Sequence, residues 1–228
     1  GRGGLEALGA GLDLEPGDVA FRFNFATVDA SGTVLDRRAG RISTEHASVL
    51  TEALREAVRK LDLDVEVILL NTVQHRGVLV LRGEGLSRAV SDTDPKEVGK
   101  PIKKCVPLDG SPEASRTADI VNHLTELFRG VLGKHPLNKE LKPPANAVLM
   151  RGAGVVPDIK PLGELYGARG VCISAVALVK GVCRAAGLEV PDVPGATGSY
   201  DTDLDAKFSY ALKALGEGAD LAVVHIKA

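Results

Sequence analysis

The strictest alternation of apolar and polar residues lies within the first thirty positions of the chain. Phe21, Phe23 and Phe25 recur at every second position, with Arg22 and Asn24 between them. Successive side chains of a strand point to opposite faces. The pattern therefore predicts a strand with one face anchored in a core and the other presenting a guanidinium and an amide side by side.

The pattern after this strand mixes further strands with two helices as far as residue 142. Helical spacing of apolar residues begins after a capping Ser43 or Thr44. Helices are predicted over 44–61 and 116–132, and strands over 33–36, 65–70 and 77–81. The segment 86–112 is polar and interrupted by proline, so it is predicted to be irregular.

The order of the predicted elements changes after a connection rich in proline and lysine at 134–144. Strands are predicted over 147–150, 170–174 and 221–226, and helices over 161–166, 176–186 and 204–215. Alternating strands and helices favour a parallel sheet with crossover helices. The fold class is therefore α/β in two pieces, with a boundary near Pro143.

Composition narrows the function classes. The 228 residues include 28 basic and 30 acidic side chains, and the formal net charge of −2 argues against a general nucleic-acid partner. No apolar run is long enough to predict a membrane span or signal peptide. The three cysteines are scattered, which favours a reducing cytoplasm over a disulfide framework. Any binding site for an anion must therefore be formed by a local group of basic side chains, since the chain as a whole is not basic.

Arginines supply the candidate for such a site. Arg22 is followed by Arg37, Arg38 and Arg41, which gives four arginines within twenty residues. Guanidinium groups bind carboxylate and phosphate through paired hydrogen bonds. The pattern predicts a site for a planar or phosphorylated anion, and a solvated hairpin face is the alternative.

Other polar residues allow two interpretations each. His75 and Arg76 at a strand end can donate to anionic oxygen, or His75 can be structural. Asp92 and Asp94 can serve acid–base chemistry or bind a cation, or simply form a turn. Lys180, in an apolar helical stretch, either enters a site or snorkels to solvent. A glycine-rich segment at 151–154 lacks the spacing of nucleotide-binding loops.

Several longer motifs in this order resemble one family, the archaeal-type phosphoglycerate mutases that are independent of 2,3-bisphosphoglycerate, within the alkaline phosphatase superfamily. The resemblance covers nearly the whole chain. The motifs are Gly17–Asp29, Asp36–Ile42, His75-Arg76, Val90–Pro95, Pro144-Ala-Asn, Leu149–Gly154 and Pro194–Gly198.

The resemblance implies interconversion of 3-phosphoglycerate and 2-phosphoglycerate, in glycolysis and gluconeogenesis, through a phosphoserine intermediate and divalent Mn, Mg or Zn ions. It also implies two domains. Residues 1–17 would be the edge of a phosphatase-like α/β sandwich with a largely parallel sheet. Residues 18–142 would be an inserted, mixed α/β substrate-binding (transferase) domain, and residues 143–228 a further part of the phosphatase-like domain.

The resemblance also implies roles for individual residues. His75 and Asp92 would be catalytic, the first by hydrogen bonding to the phosphoryl group and the second by exchanging protons with the glycerate hydroxyls. The remaining matched residues would bind substrate. They are Arg22, Asn24, Arg37, Arg38, Arg41, Arg76, Asp94 and Lys180.

The chain departs from the family pattern at both ends. The family's nucleophilic serine and first metal aspartate precede its Gly-Arg-Gly segment, and its metal cluster follows the Val-His-Ile-Lys strand. We therefore expect a central fragment, inactive alone, with no nucleophile or metal ligand among its residues. The alternatives are a related phosphohydrolase or phosphotransferase, and a non-catalytic module that binds phosphorylated metabolites. The sequence predicts no oligomeric state.

Overall fold

The computed structural model describes residues 1–227 and divides them into two units. The first unit contains residues 1–4 and 15–155, and the second contains residues 5–14 and the chain from 156 onward. Helix α1 (Arg2–Gly9), which the sequence pattern did not predict, contributes residues to both. The sequence-based boundary near Pro143 therefore falls inside the first unit, twelve or so residues before the observed division.

The first unit is built on an antiparallel sheet around one long central strand. Its strands are β1 (Val19–Val28), β2 (Val34–Asp36), β3 (Glu66–Asn71), β4 (Arg76–Arg82) and β5 (Ala147–Gly154). Strand β1 pairs with β2, β4 and β5, and β4 pairs in turn with β3. The helices of this unit are α2 (Thr44–Arg59) and α3 (Pro112–Lys134).

Strand β5 corrects the predicted topology. Its segment was expected to begin a parallel sheet, but it runs antiparallel to β1, with Phe23 opposite Met150 and Phe25 opposite Val148. A short run of buried apolar residues fits the middle of either kind of sheet, so the run alone does not specify its partner. The pairing brings the end of β5 beside the polar positions of β1.

The phenylalanine face of β1 is buried as predicted. Phe21, Phe23 and Phe25 lie in the main core, and the rings of Phe23 and Phe25 meet edge to face with centroids 5.6 Å apart. The opposite face is covered as well, since Asn24 is 5% exposed. Functional groups on β1 therefore lie in a largely desolvated environment, where charge interactions are stronger than in water.

Apart from α1, sequence patterns predicted the helices of both units close to their observed positions. Ser43 caps α2 by accepting a hydrogen bond from the His46 amide at 3.2 Å, and Ser111 caps α3 in the same way. In the second unit, β6 (Gly170–Ile173) and β7 (Leu221–Val224) pair in parallel, which confirms the prediction there. The remaining helices are α4 (Leu162–Tyr166), α5 (Ala177–Ala185) and α6 (Leu204–Gly216). Within residues 1–227, no helix combines the length and apolar character of a membrane span.

Candidate functional site

The site is organised by the pairing of β1 with its two neighbours. Arg22 lies directly opposite Arg151 of β5, and Asn24 lies directly opposite Arg76 of β4. Like charges at opposed positions of a sheet repel and destabilise the pair. The fold nevertheless places two guanidinium groups there, which is the arrangement expected where an anion binds between them.

Arg151 is only partly satisfied by its neighbours. Its Nε is buried and has no hydrogen-bond partner among the described residues, and its Nη2 lies 3.5 Å from Asn24 Oδ1. Burial, together with the positive charges of Arg22 and Arg37, lowers the pKa of Arg151. An anion placed beside it would relieve both the repulsion and the unsatisfied donor.

Asp94 fixes the position of two of the arginines. Its buried carboxylate accepts two hydrogen bonds from Arg37, at 2.9 Å from Nε and 2.7 Å from Nη2, and one from the Lys96 amide at 2.8 Å. Arg151 Nη1 lies 3.4 Å from the same carboxylate. Burial opposes the charge, but the bonds from Arg37 and Lys96 outweigh it and hold the pKa of Asp94 below its ordinary value. Asp94 is therefore an ionised anchor. Arg22, Asn24, Arg37, Asp94 and Arg151 are called the arginine cluster below.

Asp92 lies beside this cluster. One carboxylate oxygen accepts a hydrogen bond from the Gly152 amide at 2.8 Å, and the other lies 3.2 Å from Lys96 Nζ. Gly152 has φ 67, a left-handed conformation that favours glycine and turns its amide toward the carboxylate. The side chain is 26% exposed, so Asp92 remains accessible from solvent.

His75 is buried next to a second set of arginines. Its side chain has no partner at Nδ1 among the described residues, and its backbone carbonyl accepts a hydrogen bond from the Phe25 amide at 2.7 Å. Burial and the positive charges of Arg76, Arg38 and Arg41 lower the pKa of His75 to about 4, against a smaller opposing effect of Asp36. The imidazole is neutral at pH 7 and offers one donor and one acceptor.

The structure brings together all but one of the residues singled out from the sequence. Asn24 Nδ2 donates to the Arg37 carbonyl at 3.1 Å, which joins β1 to the arginine-rich segment after β2. Lys180 lies in α5 of the second unit, where its ammonium is 2.8 Å from Asp192 Oδ1. Sequence reasoning missed Arg151, although a basic residue before a glycine at the end of a buried strand was a usable signal.

The donor set of this site does not fit a metal ion. Residues 1–227 contain no group of three or more His, Cys, Asp or Glu side chains arranged to hold one. The two carboxylates nearest to such a role, Asp92 and Asp94, are bound to cationic side chains and amides. Within the arginine cluster three guanidinium groups accompany one carboxylate, a composition that suits an anion better than a cation.

Comparison with known proteins gives a consistent result. Residues 1–138 match the family model described as 2,3-bisphosphoglycerate-independent phosphoglycerate mutase. The chain is 49% identical to 2,3-bisphosphoglycerate-independent phosphoglycerate mutase 1 of Methanocaldococcus jannaschii and 48% identical to that of Archaeoglobus fulgidus, matching 100% of this chain in both cases. It spans 55% and 56% of those relatives, about half of their length.

A solved structure matches the whole chain as well. The cofactor-independent phosphoglycerate mutase from Thermoplasma acidophilum is 38% identical, with a TM-score of 0.68 over 100% of this chain and 60% of that one. The arrangement of strands and helices described above is thus shared with a solved structure at substantial sequence identity.

Proposed function

Because the chain belongs to the 2,3-bisphosphoglycerate-independent phosphoglycerate mutase family, we propose that its arginine cluster binds phosphoglycerate in the interconversion of 3-phosphoglycerate and 2-phosphoglycerate. The observation that carries this proposal is the opposed pair Arg22 and Arg151 on neighbouring strands. A small ligand with a carboxylate and a phosphoryl group adds negative charge beside this pair and offers an acceptor to the buried Nε of Arg151.

The chemistry of the ligand fits the geometry of the arginines. A carboxylate accepts two parallel hydrogen bonds from a guanidinium group, and a phosphoryl group needs several positive charges around it. Asp94 holds Arg37 through both oxygens, so that arginine is fixed before the ligand arrives. Fixed donors stabilise a developing charge without the cost of reorganisation.

We assign the proton chemistry to His75 and Asp92. Neutral His75 donates a hydrogen bond to the phosphoryl group without adding a further positive charge to a crowded set of arginines. Asp92 exchanges protons with the glycerate hydroxyls. Two features support this role: the carboxylate is partly accessible, and it is bonded to the amide next to Arg151.

The two domains take different parts in this proposal. Residues 18–142, all within the first unit, are the proposed substrate-binding domain, and residues 1–17 and 143–228 are the proposed parts of the phosphatase-like domain. Lys180 is the proposed phosphoryl contact of the second unit. Its ammonium is bound to Asp192, so that role requires the ion pair to open.

Divalent Mn, Mg or Zn belongs to the proposed reaction of the whole protein, where it would supply positive charge to the transferring phosphoryl group. No residue of this chain is assigned as a ligand, in keeping with the donor set described above. We further propose a cytoplasmic location, which the three free, buried thiols favour.

Arg22→Ala tests the reaction and the role of the cluster together. In the protein produced from its gene and supplied with Mn, ³¹P NMR should show 3-phosphoglycerate converted to 2-phosphoglycerate. The variant should lower kcat/KM by about tenfold or more, since a charge-assisted contact contributes roughly 1.5–3 kcal/mol. Arg59→Ala, at an exposed arginine of α2 paired with Glu52, is the matched control.

Three results would contradict the proposal in different ways. Release of inorganic phosphate in place of isomerisation would support the phosphohydrolase alternative. Binding of phosphoglycerate without turnover would support a non-catalytic module. Wild-type kinetics in Arg22→Ala would remove Arg22 from the site while leaving the reaction intact.

A further inference from the structure

A strained turn lies immediately after β2. Three successive residues have left-handed backbone conformations, with φ of 47 at Ala39, 63 at Gly40 and 56 at Arg41. Glycine adopts this region freely, whereas Ala39 and Arg41 do so at a cost in free energy. Such strain persists only where the surroundings impose it, and it concentrates at functional sites. Residues 36–41 are called the arginine turn below.

Two features hold the arginine turn in place. The Asp36 carboxylate accepts a hydrogen bond from the Arg38 amide at 2.7 Å through one oxygen, and from the Gly40 amide at 2.8 Å through the other. Packing does the rest, because Ala39 is fully buried and a Cβ on Gly40 would lie 2.7 Å from Pro143 Cδ. The Asp36 carboxylate therefore links two backbone amides on either side of Ala39.

The arginine turn and His75 meet at neighbouring residues of β1, because Asn24 Nδ2 donates to the Arg37 carbonyl at 3.1 Å and the Phe25 amide donates to the His75 carbonyl at 2.7 Å. Arg38 and Arg41 of the turn are exposed. The positive charges of Arg38 and Arg41, with that of Arg76 on β4, act on the buried imidazole, and Asp36 supplies the opposing negative charge. His75 Nδ1 lacks a partner among residues 1–227 and is buried. Three cations around an unsatisfied, neutral ring form a site that an oxyanion would complete.

We propose that Asp36 is a positioning residue, whose carboxylate holds the arginine turn so that Arg38 and Arg41 bind an oxyanion beside His75. The inference rests on the proposed function for one point only, the identity of the oxyanion as part of phosphoglycerate. The binding of a phosphate-like group follows from the turn, its arginines and the histidine alone.

A purely structural role for Asp36 would be that of an ordinary turn cap, and the chain offers a matched example. Asp29, at the other end of the same hairpin, accepts hydrogen bonds from the Ser31 and Thr33 amides, both at 2.9 Å, through one carboxylate oxygen. That turn carries no arginine. Asp29→Asn therefore reproduces the loss of a cap without disturbing Arg38 and Arg41.

The test follows the ring signals of His75 by NMR while inorganic phosphate, and separately 3-phosphoglycerate, is added to the 228-residue chain. Disappearance of a signal in His75→Gln identifies the ring. Asp36→Asn keeps the side-chain shape but turns an amide NH₂ toward a backbone donor. We expect Asp36→Asn to raise the Kd for phosphate about tenfold, as for one lost charge-assisted contact. Asp29→Asn should leave this Kd unchanged.

Asp36→Ser retains one acceptor for the Arg38 amide, so it should give an intermediate affinity and serves if Asp36→Asn does not fold. Wild-type affinity in the folded Asp36 variants, an equal loss in Asp29→Asn, or no response of His75 to phosphate in the wild-type chain would each overturn the inference. A further outcome separates the two proposals. If the Asp36 variants weaken phosphate binding as expected but 3-phosphoglycerate binds the wild-type chain no more tightly than phosphate, the inference stands and the proposed function fails.

Discussion

His75 is the residue at which burial and charge most clearly oppose protonation. Its pKa in the folded chain is about 4, below the value of about 6.5 for an unfolded histidine. A group with a depressed folded pKa contributes stability that is present above the unfolded pKa and is lost as the pH falls toward the folded pKa. Acid should therefore weaken the first unit through this one side chain between about pH 6.5 and 4.

His75→Gln should remove this dependence. Between pH 7.5 and pH 4, wild-type chain should lose about 3 kcal/mol more of its free energy of unfolding than the variant, measured by urea unfolding followed by circular dichroism. His46→Gln, at an exposed histidine of α2, should behave as wild type. An identical pH dependence in His75→Gln and wild type would show that His75 is not held neutral.

Sequence reasoning at the residue scale found most of the cluster, and its limits are physical. Arg22 and Asn24 were identifiable because a strict alternation separates them from three phenylalanines. Arg151 was not, because its role depends on a strand pairing across more than 120 residues of chain. The neutrality of His75 was largely hidden, since it arises from burial and from Arg38 and Arg41 on a distant segment as well as from the adjacent Arg76.

At the level of elements, the close packing of β1 against β4 depends on the absence of a side chain at one position of β4. Gly77 of β4 lies opposite Phe23, and a Cβ added there would be 2.2 Å from Phe23 Cζ. No real Cβ approaches another heavy atom so closely, so either the ring or the strand would have to move. The position therefore requires glycine for close approach, independent of backbone conformation.

Gly77→Ala should destabilise the chain by about 1–3 kcal/mol, as expected for overpacking in a core. Gly130→Ala is the control, because a Cβ at that exposed position of α3 meets nothing within 4 Å. That change should stabilise the chain by roughly 0.5–1 kcal/mol through helix propensity. Both values come from urea unfolding, and equal stability of Gly77→Ala and wild type would contradict the packing described here.

Apart from α1, helices and hairpins were predicted well because their signals are local. Caps such as Ser43 and the spacing of apolar residues lie within a few positions of the element they define. The partner of β5 could not be predicted in the same way, since its buried run fits a parallel or an antiparallel neighbour.

At the scale of the whole molecule, charge is distributed so that a nearly neutral chain carries a strongly basic site. The formal net charge is −2, yet Arg22 and Arg37 act on Arg151, and Arg37 and Arg151 share the buried carboxylate of Asp94. Opposed and partly desolvated guanidinium groups are costly without an anion. Binding of phosphoglycerate by the 228-residue chain at that cluster is therefore the property that this charge distribution most directly predicts.

Isothermal titration of the 228-residue chain with 3-phosphoglycerate tests this most directly. The wild-type chain should bind one molecule more tightly than it binds glycerate or inorganic phosphate. Arg151→Ala should weaken binding by about 10- to 100-fold, since it removes a partly desolvated charge-assisted contact, and folded Arg59→Ala should match wild type. Absence of binding by the wild-type chain, or wild-type affinity in a folded Arg151→Ala variant, would contradict the account.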